Sequence, residues 1–302
     1  MNVHCSTDMG GGMPPAPNLA GIFGTPPWLP GSENVNAPSH CTCAAHWPPR
    51  LALLAGGLAT RLRPLTNTTP KSLIPVAGEP FLGHQLRLVR AGGIREVVIC
   101  CGFLGSQIED FAGDGSRFGL SIAYSYDGET PLGTGGALRA ALPLLGREFL
   151  VMYGDSWLTE PIEPIWRTFC ASGKPALMTV FRNRNRWGAS NVEYRKGLVV
   201  RYDKRRPSAT MQHIDYGFQV LDAGVLDRWT VPVFDLAEVL SGLADYGRLA
   251  GYETTERFYE IGSLPGLRET EAAVASGFAP ALRALSIIQD GAVPQKDGPR
   301  VC

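Results

Sequence analysis

Gly56 and Gly57 close a short apolar run, Leu51-Ala-Leu-Leu-Ala55, and the cations Arg61, Arg63 and Lys71 follow closely. Residues without side chains leave the backbone open. The segment carrying Leu54, Ala55, Gly56, Gly57 and Thr60 can therefore present N–H groups to a phosphate chain, as a nest or a helix N-terminus does. Arg61 and Lys71 add fixed positive charge beside that loop, which suits a triphosphate whose charge shifts during reaction. The string is neither G-x-x-x-x-G-K-[ST] nor G-x-G-x-x-G, so the phosphate-loop and dinucleotide fingerprints are both absent. Taken alone, a Gly-Gly turn near an arginine is also an ordinary turn. A second candidate is Asp155, just after the apolar run Phe149–Tyr153. The carboxyl end of a parallel strand is where open α/β sheets hold ligands, and a carboxylate there can offer oxygen to a hard cation.

The longer string Gly56-Gly-x-x-Thr-Arg-Leu-Arg-Pro-Leu-Thr66, with Pro70-Lys71, resembles the signature of the sugar-1-phosphate nucleotidyltransferases, although Ala59 stands where that family more often has Gly. Further segments resemble the family in order, over residues 51 to about 275. The resemblance implies that Glu129, Gly133 and Thr134, in Glu129-Thr-Pro-Leu-Gly-Thr-Gly-Gly136, touch base and ribose. It implies that Asp155 holds Mg²⁺ together with Glu260, where the family usually has Asp. It implies that Lys204 meets the phosphate of a sugar 1-phosphate, and that Asp215 and Gly217, in His213–Gly217, face the sugar. Arg61, Lys71 and Asp155 are then the catalytic set, and the partners are an NTP and a sugar 1-phosphate. Pro131–Gly136 and Gly154-Asp-Ser156 look most like relatives that make GDP-mannose or GDP-heptose, so GTP is the expected nucleotide. Two other readings stay open. A nucleotide-sugar-dependent glycosyltransferase would want D-x-D at the metal strand, where Trp157 stands. A non-catalytic regulatory relative would rest on Glu260 and Ala59.

Those residues need a scaffold. Buried strands are expected at 51–55, 97–101, 121–125 and 149–153, alternating with helices at 80–91, 104–111 and 135–142. This is the pattern of a mostly parallel, Rossmann-like α/β sheet with helices on both faces. After Asp155 the spacing predicts a helix at 162–171 and a strand at 176–181. Antiparallel strands follow at 191–194, 198–202 and 213–221, with Arg195-Lys-Gly197 as a hairpin turn, and then helices at 234–243 and 265–274. The antiparallel strands form an insertion on the sugar side. No C-terminal β-helix is expected.

Composition bounds the rest. Lys+Arg and Asp+Glu both number 28, so the chain lacks the basic excess that holds nucleic acid through bulk charge. Nine of 24 prolines fall in the first fifty residues, where Arg50 is the sole Lys or Arg. Residues 1–49 are expected to be disordered or extraneous, 50–275 to form the nucleotidyltransferase domain, and 276–302 to be a tail. The uncharged stretch 9–32 contains six prolines and six glycines, so it cannot run as a membrane helix. The seven cysteines match no zinc spacing, and a reducing cytoplasm fits them. His84, His213, Trp157, Trp166 and Trp187 read as structural. Homo-oligomerisation is left open.

Overall fold

The computed structural model describes residues 47–57, 59–227 and 229–276. The segments 1–46 and 277–302, on which most of the expected extension and tail fall, lie outside the described residues. Trp47 is described and packs on the core beside Gly93, so the packed body begins slightly upstream of residue 50.

In chain order the strands are β1 (Leu51–Leu54), β2 (Pro75–Val76), β3 (Glu79–Pro80), β4 (Glu96–Cys101), β5 (Ser121–Tyr126), β6 (Glu148–Tyr153), β7 (Ser156–Trp157), β8 (Ala176–Phe181), β9 (Val192–Arg195), β10 (Leu198–Tyr202), β11 (Ile214–Asp222), β12 (Leu249–Thr254) and β13 (Tyr259–Glu260). The helices are α1 (Phe81–Ala91), α2 (Gly105–Ala112), α3 (Gly133–Leu145), α4 (Ile162–Ser172), α5 (Gly224–Asp227), α6 (Leu236–Asp245) and α7 (Leu264–Ala275).

Nine of these strands form one sheet in the order β5-β4-β1-β6-β11-β8-β12-β10-β9. Followed from pair to pair, only β11 and β10 run against the rest. The expected mostly parallel α/β sheet is thus present. The side chains of β1 alternate between two cores. Leu51 and Leu53 join the core under α1, α2 and α4, while Ala52 joins the core under α3 and α6. Helices cover both faces, as the unbroken apolar runs of β1 and β4 require.

β1 and β6 lie side by side, with Leu54 opposite Tyr153. Their carboxyl ends therefore deliver Ala55–Gly57 and Gly154-Asp155 to one place. Gly154 donates its N–H to the Leu54 carbonyl at 2.9 Å. A Cβ on Gly154 would stand 2.6 Å from that oxygen, so the two loops approach only because no side chain intervenes. β9 pairs with β10 through the turn at Lys196 and Gly197, both at positive φ, and Val192 bridges back to His213 ahead of β11. This is the antiparallel insertion. Strand β12, parallel to β8, and the ribbons β2–β3 and β7–β13 were not foreseen.

Candidate active site

A cavity of about 360 Å³ opens at the carboxyl edge. Its walls carry Leu54, Ala55, Gly56 and Gly57 after β1, Lys71, Gly133 and Thr134 at the start of α3, and Asp155 after β6. These are eight of the residues singled out from the sequence. Asp127, Tyr153, Cys100 and Ser72 also line it. Thr60 and Glu129 are exposed and stand outside the lining.

Lys71 sits in a single 3-10 turn, Lys71–Leu73, and its Nζ lies 2.6 Å from Asp155 Oδ2, with 20% and 25% of the two side chains exposed. Burial pushes the Asp155 carboxyl up. The Lys71 ammonium, the Ser156 hydroxyl and Lys204 outweigh it and hold the carboxyl below the usual carboxylate range. Asp155 is anionic at neutral pH. The backbone around it is pinned from α1, because buried Gln85 donates through Nε2 to the carbonyls of Tyr153 (3.0 Å) and Ser156 (2.8 Å).

Glu260 reaches the same spot through a short ribbon. β13 pairs with β7, Glu260 opposite Ser156, and Ile261 donates to the Asp155 carbonyl at 2.9 Å. A point one Cβ bond from the Gly262 backbone lies 2.7 Å from Glu260 Oε2, 3.0 Å from Asp155 Oδ2 and 3.3 Å from Arg61 Nη2. Two carboxylates and the Arg61 guanidinium thus gather beside Gly262, whose missing side chain leaves them room. Glu260 is itself oriented by the Gly262 N–H and by Ser263 Oγ at 2.6 Å, with Ser263 capping α7 through the Gly266 N–H.

The second glycine segment has a structural task. The carbonyl of Phe234 accepts from the N–H groups of Gly135 (3.0 Å) and Gly136 (3.2 Å). Cβ atoms on Gly133 and Gly136 would meet the carbonyls of Phe234 (2.5 Å) and Pro232 (2.6 Å). The glycines let the segment 232–236 lie across the start of α3. Thr134 fastens it, donating to Asp235 Oδ1 (2.7 Å) and accepting from the Leu236 N–H (2.9 Å).

Lys204, Asp215 and Gly217 gather beside Tyr153. Lys204 Nζ lies 5.1 Å from the Tyr153 ring centroid, 5.6 Å from that of Tyr202 and 3.4 Å from Asp215 Oδ2. Burial opposes the Lys204 charge, but Tyr153, Asp215 and Asp235 raise its pKa above the usual lysine range, so it stays cationic. Of the remaining expectations, His84 bonds the Val76 carbonyl and His213 bonds Glu253, while Trp157 and Trp166 are buried in the core. Trp187 lies between the Arg186 and Arg257 guanidinium groups.

Residues 52–191 match the nucleotidyl transferase family model. Over 230 residues the chain is 33% identical to an N-acetylmuramate alpha-1-phosphate uridylyltransferase of Neisseria meningitidis, covering 73% of this chain and 96% of that one. The chain belongs to the sugar-1-phosphate nucleotidyltransferases. It is also 39% identical over 131 residues to a glucose-1-phosphate thymidylyltransferase of Streptomyces griseus, covering 43% of this chain and 37% of that one. A third relative, the mannose-1-phosphate guanylyltransferase catalytic subunit beta of Drosophila melanogaster, is 28% identical over 219 residues, 70% of this chain and 59% of that one. The fold matches that of HddC from Yersinia pseudotuberculosis, with a TM-score of 0.63 at 19% identity over 75% of this chain and 99% of that one. No helix of the described residues is long and apolar enough to cross a membrane.

Proposed function

We propose that this enzyme transfers a uridylyl group from UTP to a hexose 1-phosphate, releasing pyrophosphate. The observation that carries the reading is the shared edge at which the Gly56-Gly57 loop, Lys71 and Asp155 line one cavity. UTP is favoured over the GTP that the sequence strings suggest, because the uridylyltransferase relative is matched over 96% of its length and the guanylyltransferase over 59%.

In this reading the glycine loop and Arg61 take the triphosphate, and Lys204 takes the phosphate of the sugar 1-phosphate. An oxygen of that phosphate forms a bond to the α-phosphorus. The bond from the α-phosphorus to the bridging oxygen breaks, and pyrophosphate leaves with the electron pair. The attacking group is already an anion, so no protein nucleophile or base is needed. The protein aligns two anions and screens their repulsion. Asp155 and Glu260 would hold a Mg²⁺ ion. Both side chains offer oxygen only and lie near each other beside Gly262, which suits an ion that takes one or two carboxylates plus phosphates and water. Bound there, it would neutralise charge on phosphate oxygens. Lys71 would bridge Asp155 and the substrates.

The test is pyrophosphate release with Mg²⁺ across UTP, GTP, dTTP, CTP and ATP against a panel of hexose and heptose 1-phosphates. Release that requires both substrates, and that is abolished in folded Asp155→Asn and Lys71→Ala, is the expected result. Near wild-type rates in either variant would overturn the assignments.

A further inference from the structure

Asp215 is built to serve another side chain. Its carboxylate, with 3% of the side chain exposed, accepts from the Tyr202 hydroxyl (2.8 Å), the Gly217 N–H (3.0 Å) and Gln219 Nε2 (2.8 Å). Its own N–H donates to Asn191 Oδ1 at 3.0 Å. Oδ1 carries the bonds from Gly217 and Gln219, and Oδ2 carries those from Tyr202 and Lys204. A buried carboxylate with both oxygens engaged has little acceptor capacity left for a sugar hydroxyl. What reaches the open side is Lys204, whose ammonium is flanked by the faces of Tyr153 and Tyr202. The Tyr153 ring lines the cavity, and its hydroxyl is buried without a partner.

We propose that Asp215 is a positioning residue that acts through Lys204: with Tyr202 it holds the ammonium over the ring of Tyr153, a residue of the cavity wall, ready for the phosphate of the sugar substrate. A lysine stem has many rotamers, and a flexible cation gains little specificity. Two aromatic faces and a buried carboxylate remove that freedom before substrate arrives, which is preorganisation. This inference rests on the proposed activity and reassigns Asp215 from sugar contact to support of the lysine.

The experiment uses the full chain and the substrate pair that gives the fastest pyrophosphate release with the wild type. Asp215→Asn keeps the shape and removes the charge. It is expected to raise the KM for the sugar 1-phosphate about tenfold and to leave the KM for the nucleotide within about twofold; Tm falls modestly, because the amide nitrogen of Asn faces donors where the carboxylate accepted. Lys204→Met should show the same selective defect. Adding Asp215→Asn to Lys204→Met should cost nothing more, because a residue acting through Lys204 has nothing left to act on. A further loss in the double variant would mean that Asp215 meets the sugar directly. Equal rises in both KM values would mean a structural role. Either result overturns the proposal. If Asp215→Asn does not fold, Tyr202→Phe must give a smaller rise confined to the sugar phosphate, and a nucleotide-side rise would refute the idea. If the wild type turns over no pair, it is the activity reading that fails. Crystal structures of wild type and Asp215→Asn then decide. Lys204 Nζ leaving the Tyr153 face in the variant supports the proposal, and its staying refutes it.

Discussion

Thr134 reads from sequence as a nucleotide contact, yet its hydroxyl already donates to Asp235 and accepts from the Leu236 N–H. Thr134→Val removes the hydroxyl while keeping the β-branched shape. The bond to Asp235 is exposed and is worth about 0.5–1 kcal/mol net, while leaving the part-buried Leu236 N–H without an acceptor costs about 1–3 kcal/mol. Asp235 still caps α6 through the Ala237 N–H at 2.9 Å, so the helix itself survives. The total is about 2 kcal/mol, which corresponds to a fall in Tm of roughly 4–8 °C for a domain of this size. Because segment 232–236 forms the outer brace of the α3 start, the nucleotide KM should rise with the loss of stability. Thr134→Ser, which can keep both bonds, should stay near wild type on both measures. Differential scanning calorimetry beside initial-rate kinetics checks this. If Thr134→Val loses more than about a hundredfold in kcat/KM at an unchanged Tm, the hydroxyl touches substrate and the brace argument is wrong.

Ala59 sits at φ 47°, in the left-handed region, and its carbonyl is held by Thr66 Oγ1 at 2.9 Å. Relief of the left-handed strain outweighs the extra backbone freedom of glycine, so Ala59→Gly should gain up to about 1 kcal/mol in urea unfolding; a loss would refute that ordering. The Asp155 carboxyl is held low in the folded state, so its contribution is fully present above about pH 4 and fades as pH falls through the lower folded value. In Lys71→Met the opposing burial has lost its main counterweight, the folded carboxyl moves upward, and stability should instead drop as pH rises past about 4, seen as Tm against pH with EDTA present. Cys100 and Cys101 are both pushed up to about 12 by burial, so neither should be carboxymethylated at pH 8 in the native protein, and peptide mapping of labelled sites would expose an error.

Strands β1, β4 and β6 are legible because each is an apolar run closed by glycine, as in Leu51–Gly57. Strand β12 was not, because Leu249-Ala-Gly-Tyr-Glu-Thr254 has weak alternation and owes its place to pairing with β8. The proximity of Glu260 and Asp155 could be anticipated only through the resemblance. Nothing in local spacing announces a two-residue ribbon between segments about a hundred residues apart. Asp127 and Gln85 went unnoticed for a related reason: polar residues near apolar runs show their task only once their partners are placed. The glycines of 133–136 read from the sequence as a loop for base and ribose; the structure puts Gly133 in the cavity wall and adds a second task, close approach to the chain's own segment 232–236.

The position of β11 has a consequence for synthesis of the chain. It lies between β6 and β8, two strands that precede it and do not touch each other. A nascent chain that has emerged only through residue 191, the end of the family match, holds β6 with one bare edge and β8 with no neighbour. Such an edge is a template for pairing with other chains. The half of the molecule that carries Gly56, Lys71 and Asp155 therefore completes its own sheet only when a strand from the later half is threaded beside it. The boundary at which the family is recognised is not a boundary at which the protein can stop folding.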